Sequence, residues 1–113
     1  MINIDTLKKN YEFKNVLLKG KCYFGKYISI YILKENNKTN KIGIAVGKKI
    51  AIAVKRNKIK RWIRECYRIY ESSFKYNCKM VIIFKKDVNL DELDFWRIKN
   101  DLEINLKKAG IIE

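Results

Sequence analysis

The pattern of hydrophobic and polar positions predicts three helices and three strands in the order αββαβα. Apolar residues recur every three or four positions in three stretches, as on one face of an amphipathic helix. Two other stretches alternate with the two-residue period of a strand, and a third is apolar throughout. The predicted helices cover residues 6–19, 55–71 and 90–108, the last capped by Asn89, and the predicted strands cover residues 22–33, 42–47 and 79–85. This order predicts an α+β sandwich in which a small mixed sheet packs against helices.

The first predicted strand has two unequal faces. Its isoleucines point to one side, whereas Tyr27 and the residues two and four positions later point to the other. In the next strand, Gly43 and Ala45 leave that second side with almost no side-chain bulk. The residues expected to line this shallow groove are Phe13 and Leu17 of the first helix and Tyr31. Such a groove suits single-stranded nucleic acid, because a base stacked on an aromatic ring contributes about 1–3 kcal/mol; ordinary packing between sheet and helix is the alternative.

Charge is distributed unevenly along the 113 residues. The chain has 26 Lys and Arg against 12 Asp and Glu, a formal net charge of +14. Residues 41–68 carry ten basic side chains and one acidic one, whereas residues 87–113 carry four basic and seven acidic ones. Four of the five arginines lie between Arg56 and Arg68, in a chain that otherwise favours lysine. Planar guanidinium groups kept at these positions indicate bidentate binding of phosphate, so nucleic acid is the expected partner.

Several classes of protein are excluded by what the sequence lacks. It has no histidine, the commonest general base and zinc ligand. Its three cysteines show no C-x-x-C spacing and it has no glycine-rich phosphate loop, so we predict neither a metal site nor a catalytic residue. No apolar run approaches the roughly 18 residues that span a membrane. We therefore expect a cytoplasmic protein with reduced thiols, no membrane contact and no self-contained active site.

The basic stretch KRNKIKRWIRECYR at residues 55–68 is the central feature of the sequence. At 100° per residue, Ile59 and Ile63 begin a stripe that faces the core. The polar residues on the other side form one face three turns long, namely Asn57, Lys60, Arg61, Arg64 and Arg68. Glu65 is the only acid in the stretch, so like charges repel one another at helical spacing, and a bound polyanion would relieve that repulsion. A merely solvated charged face is the alternative.

Two further lysines, Lys48 and Lys49, lie just before the basic helix. Exposed N–H groups at a helix N-terminus favour anions, so these lysines are candidates for phosphate contact beside it. Simple solubilising charge is the alternative for this pair.

These residues together give the chain a resemblance to a known family. The block AVKRNKIKRWIRE at residues 53–65 is similar to the R-N-x-x-K-R-x-x-R-E motif of the bacterial ribonuclease P protein component. Six positions match the motif, namely Arg56, Asn57, Lys60, Arg61, Arg64 and Glu65. Residues 42–49 and the strand VIIFKK at residues 81–86 also fit, so the resemblance extends over nearly the whole chain.

The resemblance implies a fold, an activity and partners. It implies a single domain over residues 1–113, whose αββαβα fold contains an unusual left-handed βαβ crossover. In the family, the RNA subunit is the catalyst and uses Mg²⁺, bound mainly by that RNA, to remove the 5′ leader of precursor tRNA. The expected partners of the chain are therefore ribonuclease P RNA and precursor tRNA, with neither DNA nor a membrane among them.

The resemblance also assigns residues to the two RNAs. Phe13, Leu17 and Tyr31 would contact the single-stranded leader in a cleft between the first helix and the sheet. The residues expected to bind the catalytic RNA are Lys48, Lys49, Lys55, Arg56, Asn57, Lys60, Arg61, Arg64 and Arg68. A plain RNA-binding module with no part in cleavage is the main alternative. A DNA-binding helix-turn-helix domain fits less well, because no second short helix precedes the basic one.

Overall fold

The computed structural model describes residues 6–7, 9–34, 39–86 and 88–113. Its helices are α1 (Asn10–Lys19), α2 (Ala53–Glu71) and α3 (Phe95–Lys108), and a short 3-10 helix covers Leu90–Glu92. Its strands are β1 (Lys21–Phe24), β2 (Ile28–Leu33), β3 (Lys41–Ala45) and β4 (Lys79–Phe84). The helices pack on a single sheet, which confirms the predicted α+β class. Within these ranges no helix is both long and apolar enough to cross a lipid bilayer.

The four strands form one mixed sheet in the order β1-β2-β4-β3. Strands β1 and β4 both run antiparallel to β2, whereas β3 runs parallel to β4. Lys41 pairs with Lys79 and Ala45 pairs with Ile83, so β3 and β4 begin at the same end of the sheet and finish at the opposite end. Since α2 joins these two neighbouring strands, β3, α2 and β4 form the expected crossover, and its handedness stays a prediction.

The first predicted strand is wrong in one respect, because the structure makes it a hairpin of β1 and β2. The backbone N–H groups of Lys26, Tyr27 and Ile28 donate to the carboxylate of Asp101 in α3, at 2.8, 2.9 and 3.0 Å, and fix the turn. A Cβ atom at Gly25 would collide with that carboxylate, so the turn requires glycine. The turn also places Tyr27 in the main core beside the isoleucines, and not on the groove side.

Helix α1 begins at Asn10 and not at residue 6 as predicted. Thr6 instead forms a parallel bridge with Ile42, and the Leu7 N–H donates to the Ile42 carbonyl oxygen at 3.0 Å. This segment pairs with the free edge of β3, so the helix starts only after the chain has left the sheet.

The last predicted helix is divided into two pieces. Asn89 accepts a hydrogen bond from the Asp91 N–H at 3.0 Å, but it caps the 3-10 helix and not α3. Asp94 accepts from the Arg97 N–H at 2.8 Å and is the true N-cap of α3. Leu93 and Asp94 both have extended backbone and separate the two pieces.

The sheet separates two hydrophobic cores of different size. On one side, α2 and α3 bury a large core that contains the isoleucines of β2. On the other side, α1 packs on a small core formed by Val16, Leu33 and Val81. The Phe13 ring lies so close to Gly43 that a Cβ atom there would be 2.8 Å from the ring Cε2 atom, so the face expected to be bare is covered at this point. The end of the same face beyond α1 stays open.

Candidate nucleic-acid interface

Helix α2 presents the predicted basic face to solvent. Its apolar stripe is buried against the sheet and α3, and comprises Ile59, Ile63, Cys66, Tyr67 and Tyr70. The residues of the opposite face are exposed except for the half-buried Lys60, and they are Asn57, Lys60, Arg61, Arg64 and Arg68. Because the buried stripe fixes the rotation of the helix, these side chains are held in one row. Lys55 lies elsewhere, with Lys58 and Trp62 at a small cavity on the other flank of α2.

None of the described acids neutralises this row. In the described ranges, the ion pairs join Lys41 to Glu12, Arg97 to Asp94, and Lys107 to Glu103. None of those pairs includes a side chain of α2. Arg61, Arg64 and Arg68 therefore keep their guanidinium donors for an external anion, and each phosphate that they neutralise releases a counterion.

Arg56 differs from the other arginines of α2. It is half-buried, and its Nη1 atom donates to the carbonyl oxygens of Ala51 at 2.7 Å and Lys48 at 3.3 Å. These two bonds tie the turn that follows β3 to the first turn of α2. The structure thus gives Arg56 a positioning contact inside the protein, and its predicted contact with RNA stays a prediction.

A lysine-rimmed groove of about 1000 Å³ opens where β3 and β4 end. Its floor is formed by the buried Ser29 and the half-buried Ile83 and Ala45, with the exposed Phe24 ring beside it. Five lysines surround it, namely Lys26, Lys48, Lys49, Lys85 and Lys86. The parallel pairing of β3 and β4 explains this cluster. One pair of lysines follows each strand, and parallel neighbours end at the same end of the sheet. An apolar floor, an aromatic ring and a cationic rim are typical of sites for single-stranded nucleic acid.

The three predicted leader residues lie beside the lysine-rimmed groove, and none of them lines it. Phe13, Leu17 and Tyr31 are half-buried around the small core under α1. Tyr31 pairs with Cys22 across the hairpin, and a hydrogen bond with the Cys22 side chain, together with burial, raises the pKa of Tyr31. Its hydroxyl is therefore protonated at neutral pH and is able to donate a hydrogen bond.

A small cavity of about 220 Å³ lies between α1 and the basic face of α2. It is lined by Phe13 of α1, by Gly43 and Ile44 of β3, and by Lys60 and Arg64 of α2. The sequence pattern assigns Phe13 and Arg64 to two different sites. The structure brings both residues to one opening, so the two predicted sites are continuous there.

Sequence reasoning missed several residues of the lysine-rimmed groove. Those absent from the predicted set are Phe24, Lys26, Lys85 and Lys86. A signal for the last pair existed, because Lys85-Lys86 and Lys48-Lys49 each follow an apolar strand closely, and parallel neighbours place such pairs together. Phe24 and Lys26 could not be predicted, because their place beside the groove depends on the hairpin turn, which the sequence pattern did not predict.

Two of the three cysteines are buried and are not activated as nucleophiles. Burial raises the pKa of Cys66 and of Cys78 to about 12, so both thiols are protonated at neutral pH. Across the described ranges, no three His, Cys, Asp or Glu side chains come together as a metal site. The fold and this surface define a class: a small basic α+β protein with an exposed basic helix and a lysine-rimmed groove, a surface suited to a polyanion.

Comparison with known proteins identifies the family within that class. Residues 1–110 match the ribonuclease P family. The ribonuclease P protein component of Dictyoglomus turgidum is 42% identical over 110 residues, which cover 96% of this chain and 92% of the relative. That of Natranaerobius thermophilus is 33% identical over 113 residues, which cover 100% of this chain and 96% of the relative. The chain belongs to the family of bacterial ribonuclease P protein components.

Solved structures of this family have the same fold. The RNase P protein of Staphylococcus aureus superposes with a TM-score of 0.85 at 28% identity, covering 98% of this chain and 100% of that one. The RNase P protein of Thermotoga maritima gives a TM-score of 0.81 at 27% identity, covering 92% of this chain and 96% of that one. The predicted resemblance is thus confirmed in both sequence and fold.

Membership of the family also confirms the predicted activity and partners. The protein is a subunit of an endoribonuclease ribonucleoprotein that removes the 5′ leader of precursor tRNA. It acts with ribonuclease P RNA, and the RNA subunit is the metal-dependent catalyst.

Proposed function

We propose that the protein divides its surface between the two RNAs of the complex. The row of arginines on α2 binds ribonuclease P RNA. The lysine-rimmed groove, together with Phe13, Leu17 and Tyr31 at its side, binds the single-stranded leader of precursor tRNA. Lys48 and Lys49, assigned to the catalytic RNA by the sequence, rim this groove and contact leader phosphates. The observation that carries the proposal is that unpaired arginines and an open lysine-rimmed groove lie on adjoining surfaces.

This arrangement is suited to leaders of differing sequence. Lysine ammonium groups are point charges that contact phosphates without reading bases. Aromatic and apolar side chains beside them offer stacking surfaces that every base can use. The groove therefore binds the backbone of the leader, and its affinity depends little on the leader sequence.

We propose that the metal of the RNA catalyst is Mg²⁺, held mainly by the RNA. Phosphates neutralised by the basic face of α2 need fewer counterions, so the protein lowers the Mg²⁺ concentration that assembly requires. We place the complex in the cytoplasm, where precursor tRNAs are transcribed. We also propose that residues 1–113 act as a single domain, as the family match over residues 1–110 supports.

Reconstitution with ribonuclease P RNA tests the proposal as a whole. Cleavage of precursor tRNA by the RNA alone is compared with cleavage by RNA plus protein at low Mg²⁺. We expect the protein to increase the rate strongly at low Mg²⁺ and weakly at high Mg²⁺. No gain in rate over the RNA alone would contradict the proposal and would indicate an RNA-binding module that has no part in cleavage.

The leader site is tested with Tyr31→Ala. In the holoenzyme, this variant should weaken the binding of leader-bearing tRNA by about 1–3 kcal/mol, the size of one stacking contact, and leave mature tRNA unaffected. The matched control is Tyr11→Ala. Tyr11 is 66% exposed and lies on a different face of α1 from Phe13 and Leu17. Equal losses for both tRNAs would argue against a leader site.

A further inference from the structure

A second basic cavity lies at the other end of the sheet from the lysine-rimmed groove. It has a volume of about 520 Å³ and is bordered by the last residues of β2, the C-terminal ends of α1 and α3, and the chain between α2 and β4. Four lysines surround it, namely Lys19, Lys21, Lys34 and Lys75. It shares no lining residue with the groove or with the cavity beside Arg64. Neither the family motif nor the leader site accounts for this cavity.

No acid among the described residues balances the charge of this second cavity. Its lining residues include no acid, and none of its four lysines belongs to an ion pair within the ranges that the structure describes. The C-terminal ends of α1 and α3 are negative, but a helix end contributes only about half an elementary charge. Two such ends offset only part of the charge of the four ammonium groups.

Two tyrosines give the cavity fixed walls. Tyr23 and Tyr76 both line it, and the Lys34 ammonium lies 4.3 Å from the centroid of the Tyr76 ring. That cation–π contact holds the Lys34 side chain over the ring and orients its charge at the cavity. Burial raises the pKa of Tyr76, so its hydroxyl is protonated and able to donate to an anion.

We propose that this second cavity binds the phosphodiester backbone of an RNA segment other than the leader in the groove. Ammonium groups and a tyrosine hydroxyl supply charge and hydrogen-bond donors but no bidentate fork, which suits backbone contact without base readout. Ser29 on the groove and Leu33 on this cavity are four residues apart on β2, about 13 Å along the strand. One folded RNA partner can therefore reach both sites on a protein that measures 39 × 30 × 30 Å.

The proposal rests on the RNA partner that family membership gives, and not on the assignment of the leader site. Ribonuclease P RNA and precursor tRNA have the same backbone chemistry, so either one can supply the phosphates. The experiment therefore has one arm for each RNA. The variant Tyr31→Ala reports separately on the leader site.

The first measurement is the salt dependence of binding for Lys34→Gln/Lys75→Gln. Loss of two phosphate contacts should reduce the slope of log affinity against log salt by about 1.4–1.8 for the RNA that occupies the cavity. The matched control is Lys14→Gln/Lys99→Gln, which removes the same charge and, at Lys99, a lysine 5.3 Å from a tyrosine ring centroid. Lys14 and Lys99 line none of the cavities described above. A slope equal to that of the control for both RNAs would overturn the proposal.

The second measurement locates the RNA directly and does not depend on the double variant folding. A hydroxyl-radical probe is attached at Lys75→Cys in a Cys22→Ser background, where the buried Cys66 and Cys78 thiols, with pKa values of about 12, react slowly. We expect backbone cleavage in ribonuclease P RNA or in the tRNA body, at positions not cut from the same probe at Lys99→Cys. Cleavage confined to the leader, or a pattern shared with the control, would overturn the proposal.

Discussion

The two faces of the sheet show how a protein of this size separates stability from binding. The face toward α2 and α3 carries the isoleucines of β2, which are buried in the large core. Among the described residues, the opposite face is covered mainly by α1, with Leu7 beside it, and a ten-residue helix is only about 15 Å long. The end of this face near Ile83 and Ala45 is only partly covered and forms the floor of the lysine-rimmed groove. The length of one helix thus decides how much of the sheet is available to a ligand.

The largest effect is expected on the covered face, from Asp101→Ala. The change removes the acceptor for three backbone N–H groups in the hairpin turn, two of them in buried hydrogen bonds. Buried donors left unsatisfied cost about 1–3 kcal/mol each, so we expect the free energy of unfolding to fall by about 3–5 kcal/mol. Denaturant titration measures this fall.

A neighbouring position provides the control for that experiment. Asn100 precedes Asp101 on α3 but is exposed, so Asn100→Ala should change the free energy of unfolding by less than about 0.5 kcal/mol. Similar losses in the two variants would show that helix α3, and not the carboxylate, holds the hairpin.

On the α1 face, Gly43→Ala should have a smaller effect. The new Cβ atom would lie 2.8 Å from the Phe13 ring, so α1 must shift outward, at a cost of about 1–3 kcal/mol. Gly47→Ala is the matched control, because a Cβ atom there meets the Ile50 side chain at an ordinary 3.5 Å. Thermal unfolding compares the two, and equal stability would mean that α1 is not closely packed on β3.

Replacement of an arginine on α2 should leave stability unchanged and alter binding. Arg64→Ala removes an exposed, unpaired guanidinium, so the salt slope for ribonuclease P RNA should fall by about 0.7–0.9. Arg97→Ala is the control, because Arg97 is already paired with Asp94 at 2.6 Å. An unchanged slope for Arg64→Ala would remove this residue from the interface.

The smallest effect, and the one that best separates positioning from contact, is expected at Arg56. Lysine keeps the positive charge but lacks the guanidinium that reaches both the Ala51 and Lys48 carbonyl oxygens. If Arg56 acts by holding the turn, Arg56→Lys and Arg56→Gln should weaken leader binding equally, by a few-fold. Recovery of wild-type affinity in the lysine variant would instead indicate a direct phosphate contact.

Local periodicity was sufficient to predict α2 and its basic row. The stripe that begins at Ile59 and Ile63 fixes the rotation of the helix, and every residue of the row then follows from the 100° turn. The hairpin could not be predicted in the same way, because alternation continues through Gly25. The group that fixes the turn is Asp101, 73–75 residues away from its partners in sequence.

The lysine-rimmed groove could not be predicted from the local sequence pattern, for a similar reason. Which strands are neighbours is a property of the whole sheet, and only the parallel pairing of β3 with β4 places Lys85 and Lys86 beside Lys48 and Lys49. The aromatic residue Phe13 was correctly placed on the sheet, but its close approach to Gly43 turned a predicted open surface into a packed one.

The crossover of β3, α2 and β4 has a mechanical consequence. The basic helix is joined in sequence to two strands that pair with each other over five residues, Lys41–Ala45 with 79–83, so both of its ends connect to the same ladder. When a large RNA pulls on α2, the load is shared by many backbone bonds at once and does not peel the helix away from one end. A small subunit attached in this way can stay folded while its much heavier partner bends around it.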